Sequence, residues 1–162
     1  MALQQAARSS RGFTLIELMV VVVIATILLS LAVPSYMSQV RQSRRTEAKT
    51  AILDLAGREE RYFSTQVNYS QTASDLGYGA FGTPIASGYY TLNVCSPAAS
   101  PCAGANIPNP PAPPSYTIVA TPVAGRSQAN DAQCQLFAVD SAGQQYAVDS
   151  GGNPQTQFCW AN

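Results

Sequence analysis

Histidine is absent from the 162 residues, which removes the commonest general base and the commonest metal ligand of proteins. Charge is scarce: nine basic and nine acidic side chains give a formal net charge of zero, and only 11% of residues are charged. That balance argues against a polyelectrolyte binder of nucleic acid and against a chain kept disordered by its charge. The four cysteines contain no C-x-x-C spacing and have no histidine to join them, so metal and dithiol redox chemistry are disfavoured. No glycine-rich phosphate loop is present, and the serines and threonines lack a base to activate them. No cofactor is implied. Four cysteines, eleven prolines and eight tyrosines in one domain-sized chain instead fit an exported protein. An ordinary soluble metabolic enzyme does not fit this composition.

The charge that exists is unevenly placed. Residues 13–33 are twenty-one nearly unbroken apolar positions, interrupted by the carboxylate of Glu17, and residues 18–33 carry no charge at all. As a helix this run is roughly 32 Å long, against a bilayer core of about 30 Å. Arg8 and Arg11 precede it, while Arg41, Arg44, Arg45 and Lys49 follow it. The segment is membrane-competent, and three readings of it stand open. It suits a cleavable secretory signal ending at Ser30-Leu31-Ala32, a signal anchor, or a leader cut at the opposite end of the run. Against the first stands Glu17, because a carboxylate at mid-membrane costs roughly 2.5–3.5 kcal/mol of insertion free energy. Basic residues on both flanks keep the positive-inside rule from fixing an orientation.

The order Arg11-Gly12-Phe13-Thr14-Leu15-Ile16-Glu17-Leu18-Met19-Val20-Val21 resembles the type III signal of type IV pilins and related pseudopilins. The resemblance implies a prepilin leader, 1–12, cut between Gly12 and Phe13 by a prepilin peptidase that also N-methylates Phe13. It implies a membrane and polymerisation helix over 13–43, with Glu17 as the fifth mature residue and Pro34 where many pilins carry a helix-loosening proline. Both are then assembly residues. A globular headgroup over 44–162 completes the expected organisation.

The residues support that layout independently. Over 44–63, Ala48, Ile52, Leu55, Tyr62 and Phe63 fall mostly on one helical face, with Arg58, Glu59, Glu60 and Arg61 assigned to the solvated side. Pro34 is expected to interrupt the helix by its missing N–H, and Gly57 to weaken it by roughly 1 kcal/mol. One long helix over about 13–65, roughly 80 Å if fully helical, is the expectation. Residues 66–88 read as a connecting loop. Short β-prone runs follow at 89–95, 116–121, 135–140 and 145–149. In the second of these, Tyr116, Ile118 and Ala120 share one face, with Thr117, Val119 and Thr121 on the other. Ser141-Ala142-Gly143 suits a hairpin turn. The stretch Ile107-Pro108-Asn109-Pro110-Pro111-Ala112-Pro113-Pro114 has too few donors for a central strand and reads as an extended, polyproline-like loop. The fold class is therefore α+β: a long N-terminal helix packed on a four-stranded antiparallel sheet.

A second set of motifs is similar to the minor-pilin branch that includes DNA-uptake pilins: Arg45-Thr46-Glu47-Ala48, Arg58-Glu59-Glu60-Arg61-Tyr62-Phe63, Tyr69, Leu76-Gly77-Tyr78, Tyr116-Thr117-Ile118-Val119-Ala120-Thr121-Pro122 and Cys159-Trp160. The likeness is looser between Cys95 and Pro114, where this chain carries extra residues. Four cysteines permit three pairings; the family pattern maps a disulfide to Cys134 with Cys159, leaving Cys95 and Cys102 as a local pair. Neighbouring Glu59 and Glu60 point about 100° apart on a helix and make no acid–base pair. Arg41, Arg44, Arg45 and Lys49 suit a subunit boundary, a lipid surface or DNA. Tyr69, Tyr78, Tyr89 and Tyr90 suit half-buried packing or an adhesive patch.

The resemblance implies a non-enzymatic structural subunit of a type IV pilus, major or minor. Its partners would be other pilin subunits, the prepilin peptidase, an inner-membrane assembly platform and the membrane itself. The subunit would pass from an inner-membrane pool to a surface filament (fimbrium) serving adhesion, twitching motility or DNA uptake. The alternatives are a specialised DNA-binding or adhesive tip pilin, meeting DNA or a host surface, and a type II secretion pseudopilin. Beyond Gln66 the only basic side chain is Arg126, against Asp75, Asp131, Asp140 and Asp149, which suits duplex DNA poorly.

Overall fold

A computed structural model describes residues 12–97, 107–108 and 112–161. The expected leader and Cys102 therefore lie outside the described residues, apart from Gly12. The chain divides into two compact units, one ending at Gln39 and one running from Val40 to Asn162, here called the head.

Helix α1 runs from Leu15 to Gln66, within two residues of the expected ends. It passes through Pro34 without the expected interruption. A proline deletes one backbone donor and crowds one turn, and the bonds of the neighbouring turns keep the helix together. In the first unit the large apolar side chains stand open: Phe13 is 83% exposed and Leu31 71%. Helix α1 is the one described helix long and apolar enough to cross a membrane.

In the head, α1 buries a stripe at Arg45, Ala48, Ile52, Leu55 and Glu59, alternating steps of three and four residues as one helical face requires. The solvated assignment of Glu59 is therefore wrong. Four residues beyond Leu55, it lies on the buried face, whereas Glu60 is exposed.

Four strands form an antiparallel meander in the order β1-β2-β3-β4. They are β1 Tyr90–Cys95, β2 Thr117–Pro122, β3 Leu136–Asp140 and β4 Gln145–Val148. Register places Leu92, Ala120, Phe137 and Ala147 in one row across the sheet, and all four join the core with Ala48, Ile52 and Leu55 of α1. The next row, with Val119, Ala138 and Tyr146, faces away, as period-two alternation demands. Burying one large aliphatic side chain contributes about 1.5–3 kcal/mol, so the α1 stripe and this row carry much of the head's stability. The β3–β4 turn is set by Asp140, whose Oδ1 accepts from the Ala142 and Gln144 backbone N–H groups at 2.9 Å each.

Three features depart from the sequence reading. Residues 66–88 are not wholly irregular, since Ala73–Leu76 forms a 3-10 turn closed by Gly77 at φ 72°. Ile107, read as part of an extended, polyproline-like loop with no core role, is 7% exposed and packs with Val119, Leu136, Ala138 and Val148 on the outer face of the sheet. A short helix, α2 Thr156–Ala161, follows β4. Six residues are too few for helical periodicity to be read, and this one is held by covalent and tertiary contacts instead.

Candidate functional site

The first candidate is the start of α1. Gly12 and Phe13 are exposed, and nothing lies within 4 Å of where a side chain on Gly12 would begin. The Glu17 N–H donates to Thr14 Oγ1 at 3.3 Å, and the Thr14 N–H donates to Glu17 Oε2 at 3.5 Å. This is a reciprocal capping box, which satisfies two donors that a helix start otherwise leaves without partners. Thr14 is not among the residues singled out in the sequence, although T-x-x-E before an apolar run is a readable cap signal. Farther along, Thr26 Oγ1 donates to Val22 O and Ser30 Oγ to Ile27 O, both at 2.7 Å. The hydroxyls of the apolar run are thus satisfied within the helix, as apolar surroundings require.

The second candidate is the basic end of the head, where the geometry differs from an open cationic cluster. Arg45 is buried and pairs with Asp131 through two bonds, Nε to Oδ2 at 2.7 Å and Nη2 to Oδ1 at 2.8 Å. Gln128 Nε2 donates to the same Asp131 at 3.1 Å and to the Tyr90 hydroxyl at 3.0 Å. Tyr90 is fully buried rather than half-buried, and burial pushes its phenol well above the usual range. Arg44 donates to Ser127 Oγ and to the Tyr89 hydroxyl, with its guanidinium carbon 3.6 Å from the Tyr89 ring centre. Arg44 and Arg45 are therefore turned into the head by residues far along the chain, which the local run of basic letters does not disclose.

The third is Glu59. Its Oε2 accepts from the Ser70 N–H at 3.0 Å, while its buried Oε1 has no partner. Burial pushes this carboxyl up to about 7; the Ser70 N–H opposes the shift and the neighbouring Glu60 charge adds to it. Glu60 Oε1 accepts from the hydroxyls of Tyr69 and Tyr116, at 3.2 Å each. Tyr69 in turn stacks on Phe63 at 4.7 Å, and Tyr78 caps Asp54 at 3.0 Å. The loop tyrosines with described contacts are thus tied to α1 as packing.

Cys134 and Cys159 form a disulfide with Cα atoms 5.8 Å apart, joining the entry of β3 to α2. Cys95 is also disulfide-bonded, while Cys102 lies outside the described residues. Gly12, Phe13 and Glu17 share one end of α1; Pro34 lies farther along it, and the cysteines belong to the head. Among the described residues no group of three or more histidine, cysteine, aspartate or glutamate side chains could hold a metal ion.

Comparison with known proteins gives this arrangement a family. Residues 7–33 match the prokaryotic N-terminal methylation motif. The chain is 41% identical over 69 residues to the type IV major pilin protein PilA of Myxococcus xanthus, covering 43% of this chain and 31% of that protein. It is 44% identical over 69 residues to the type II secretion system core protein G of Pseudomonas aeruginosa, covering 43% and 49% respectively. The corresponding protein of Dickeya chrysanthemi is 37% identical over 70 residues, covering 43% and 46%. The match thus spans less than half the length of each of these relatives. A solved type IV pilin from Shewanella oneidensis aligns with a TM-score of 0.41 and 19% identity, over 65% of this chain and 89% of that one. Residues 34–138, well over half of the chain, match the family described as type IV minor pilin ComP, DNA uptake sequence receptor. With a methylation motif leading into an exposed apolar helix, and a helix-on-meander head behind it, this chain belongs to that family of type IV minor pilins.

Proposed function

We propose that the chain is a structural subunit of a type IV pilus, whose action is polymerisation rather than catalysis. The observation that carries this reading is the exposed apolar run over 13–33, opened by Gly12-Phe13 and helical from Leu15, with the capped carboxylate of Glu17 in its first turn. A prepilin peptidase cuts the 1–12 leader between Gly12 and Phe13 and methylates the Phe13 amine. The 13–43 segment holds the subunit in the inner membrane, and an assembly platform then draws it into a surface filament with other pilin subunits. Pro34 loosens the helix during that transfer, and the globular 44–162 region forms the filament's outer layer. Glu17 finds a partner in the amine at Phe13 of a neighbouring subunit, because a carboxylate among apolar helices is tolerable only when paired. Mass spectrometry of sheared surface filaments tests the reading. A mature chain beginning with N-methylated Phe13 supports it, and a chain beginning at Val33 refutes it.

A second reading is a receptor role in DNA uptake, suggested by the description of the matching family. Pairing of Asp131 with Arg45 removes one of the four acids counted against DNA, and with it one of the basic side chains of α1 that suited it. Salt-sensitive retardation of duplex DNA at micromolar protein would favour this role over a purely structural one.

A further inference from the structure

Charge is distributed unequally along the part of α1 that belongs to the head. Residues 41–49 hold Arg41, Arg44, Arg45 and Lys49 against one carboxylate, Glu47, whereas residues 54–61 hold Arg58 and Arg61 against Asp54, Glu59 and Glu60. Exposed Arg126 adds to the first group, because its chain neighbour Ser127 is the residue Arg44 grips. Arg45 is neutralised by Asp131. Arg44 is held by a serine hydroxyl, a tyrosine hydroxyl and a ring face, which fix its position without cancelling its charge. The Nε of Arg41 is buried without a hydrogen-bond partner. Lys49 is near enough to Arg45 for that charge to reinforce the effect of burial on its ammonium. Beside this end stand Phe158 of α2, 40% exposed with its ring centre 5.7 Å from the Arg45 guanidinium carbon, and the backbone carbonyl of Trp160, which accepts from Lys49 at 3.4 Å. The Trp160 ring itself turns into the head, its Nε1 donating to Tyr146 O at 3.0 Å and its plane meeting Phe137 edge-on at 6.0 Å.

We propose that this cationic, aromatic-edged end of the head is a docking surface for anionic lipid headgroups, against which the subunit rests while it waits for assembly. The inference builds on the membrane-held pool proposed above. Arg41 follows Val33, the last residue of the apolar run, by eight residues of chain, so a bilayer holding that run keeps the basic group near its surface. Basic and aromatic side chains together are the composition favoured at headgroup level, where stems and rings meet apolar matter and charges meet phosphate. Duplex DNA fits less well. It presents phosphates along its whole length, whereas beyond Gln66 the head adds only Arg126 to these cations. The surface gives the waiting subunit a preferred orientation, and withdrawal into a filament must break it.

The single tryptophan of the chain, Trp160, is half-buried on α2, two residues from Phe158, and serves as the probe of how near this end comes to the headgroups. The full chain is reconstituted into vesicles of phosphatidylcholine, alone or with about one third phosphatidylglycerol, each containing headgroup spin-labelled lipid. Resistance to carbonate extraction is read first and tests membrane residence by itself; extraction from both vesicle types would overturn the pool. With resistance established, the expected result is quenching of Trp160 in the anionic vesicles and much less in the neutral ones, weakened by about 0.5 M salt. Arg41→Gln and Arg126→Gln should each lower the docked-to-free ratio roughly fivefold, the effect of about 1 kcal/mol per basic side chain at such a surface. Equal quenching in the two lipids, or none in anionic vesicles that hold the chain, would overturn the proposal. So would unchanged quenching in both variants. Displacement from anionic vesicles by a short DNA duplex bound at micromolar affinity would reassign the surface to nucleic acid.

Discussion

Arg45 of α1 and Asp131, 86 residues later in the chain, meet in a buried two-point ion pair. Asp131 Oδ1 also accepts from the Gln133 and Cys134 backbone N–H groups at 3.2 and 3.4 Å. One carboxylate therefore ties the long helix to the turn that presents the disulfide. Removing one partner leaves the other charged and buried, which costs about 3–5 kcal/mol. Asp131→Ala should lower the thermal midpoint of the full chain in detergent by many degrees. Arg45→Met combined with Asp131→Leu should recover most of the loss, because two apolar residues leave no charge stranded. A double variant as unstable as the single one would show that geometry at the turn, rather than stranded charge, sets the cost.

Glu59 predicts an unusual pH dependence. Its carboxyl titrates at about 7 in the folded head, against an ordinary value of 4.5. Between those values the folded protein keeps a proton that the unfolded chain has released, so this group's contribution falls as pH rises through the window. The difference amounts to about 3 kcal/mol. Asp54 shifts the opposite way, and its effect is confined to more acidic solution. Thermal midpoints should thus be higher at pH 5 than at pH 8, and Glu59→Gln should flatten the difference. A wild-type midpoint that rises towards pH 8 would contradict the assignment.

The capping box separates two roles of Glu17. Thr14→Ala removes one cap bond and keeps the carboxylate, costing about 1 kcal/mol of helix stability. Glu17→Val removes the other cap bond and the carboxylate with it, while the backbone N–H of residue 17 can still reach Thr14 Oγ1. If the carboxylate serves docking, Thr14→Ala subunits should enter sheared filaments near the wild-type ratio. Glu17→Val subunits should be processed, persist in the membrane and enter poorly. Equal incorporation of the two variants would leave capping as the whole role of Glu17.

The bridge between Cys134 and Cys159 closes a loop of 26 residues, counting both cysteines, worth about 3.5 kcal/mol in the chain-entropy account. Cys134→Ser should lower subunit levels and the head's melting point while leaving leader cleavage intact, since the two events concern different ends of the chain. Full stability in reductant would refute this.

Val67 terminates α1 with φ 55° and its N–H on Phe63 O at 2.9 Å. A β-branched residue in the left-handed region is strained by about 1–2 kcal/mol. Val67→Gly should raise the thermal midpoint by a few degrees, as relief of the strain exceeds the added freedom of the unfolded chain. A lower midpoint would show that the valine side chain contributes contacts outweighing its backbone.

What could be read from the letters follows from the range of the forces involved. Ala48, Ile52 and Leu55 announce a helix face by spacing alone, and Tyr116, Ile118 and Ala120 a strand face, because each pattern is local. Arg45 and Glu59 lie on the same stripe, yet their charge argues for solvent. Only partners distant in sequence, Asp131 and Ser70, show how burial is tolerated. Ile107 is hidden among prolines for a related reason: its burial depends on the outer face of a sheet that no local pattern describes. Thr14 is the exception, a local signal open to reading.

The pairing of each strand with its neighbour in sequence has a consequence for the order in which a head is made. A chain synthesised from its N-terminus can zip β1 to β2, then β3, then β4 as each arrives, without waiting for a distant strand. Connections distant in sequence break that rule, two of them with a visible cost. Arg45 is made early and stays uncompensated until Asp131 follows, and Cys134 has no lock until Cys159 arrives. A nascent head can therefore be nearly complete in its sheet and still lack its charge partner or its covalent clasp. In that interval an unfinished subunit is physically distinguishable from a finished one, by an unbridged thiol at Cys134 and an unfastened α2.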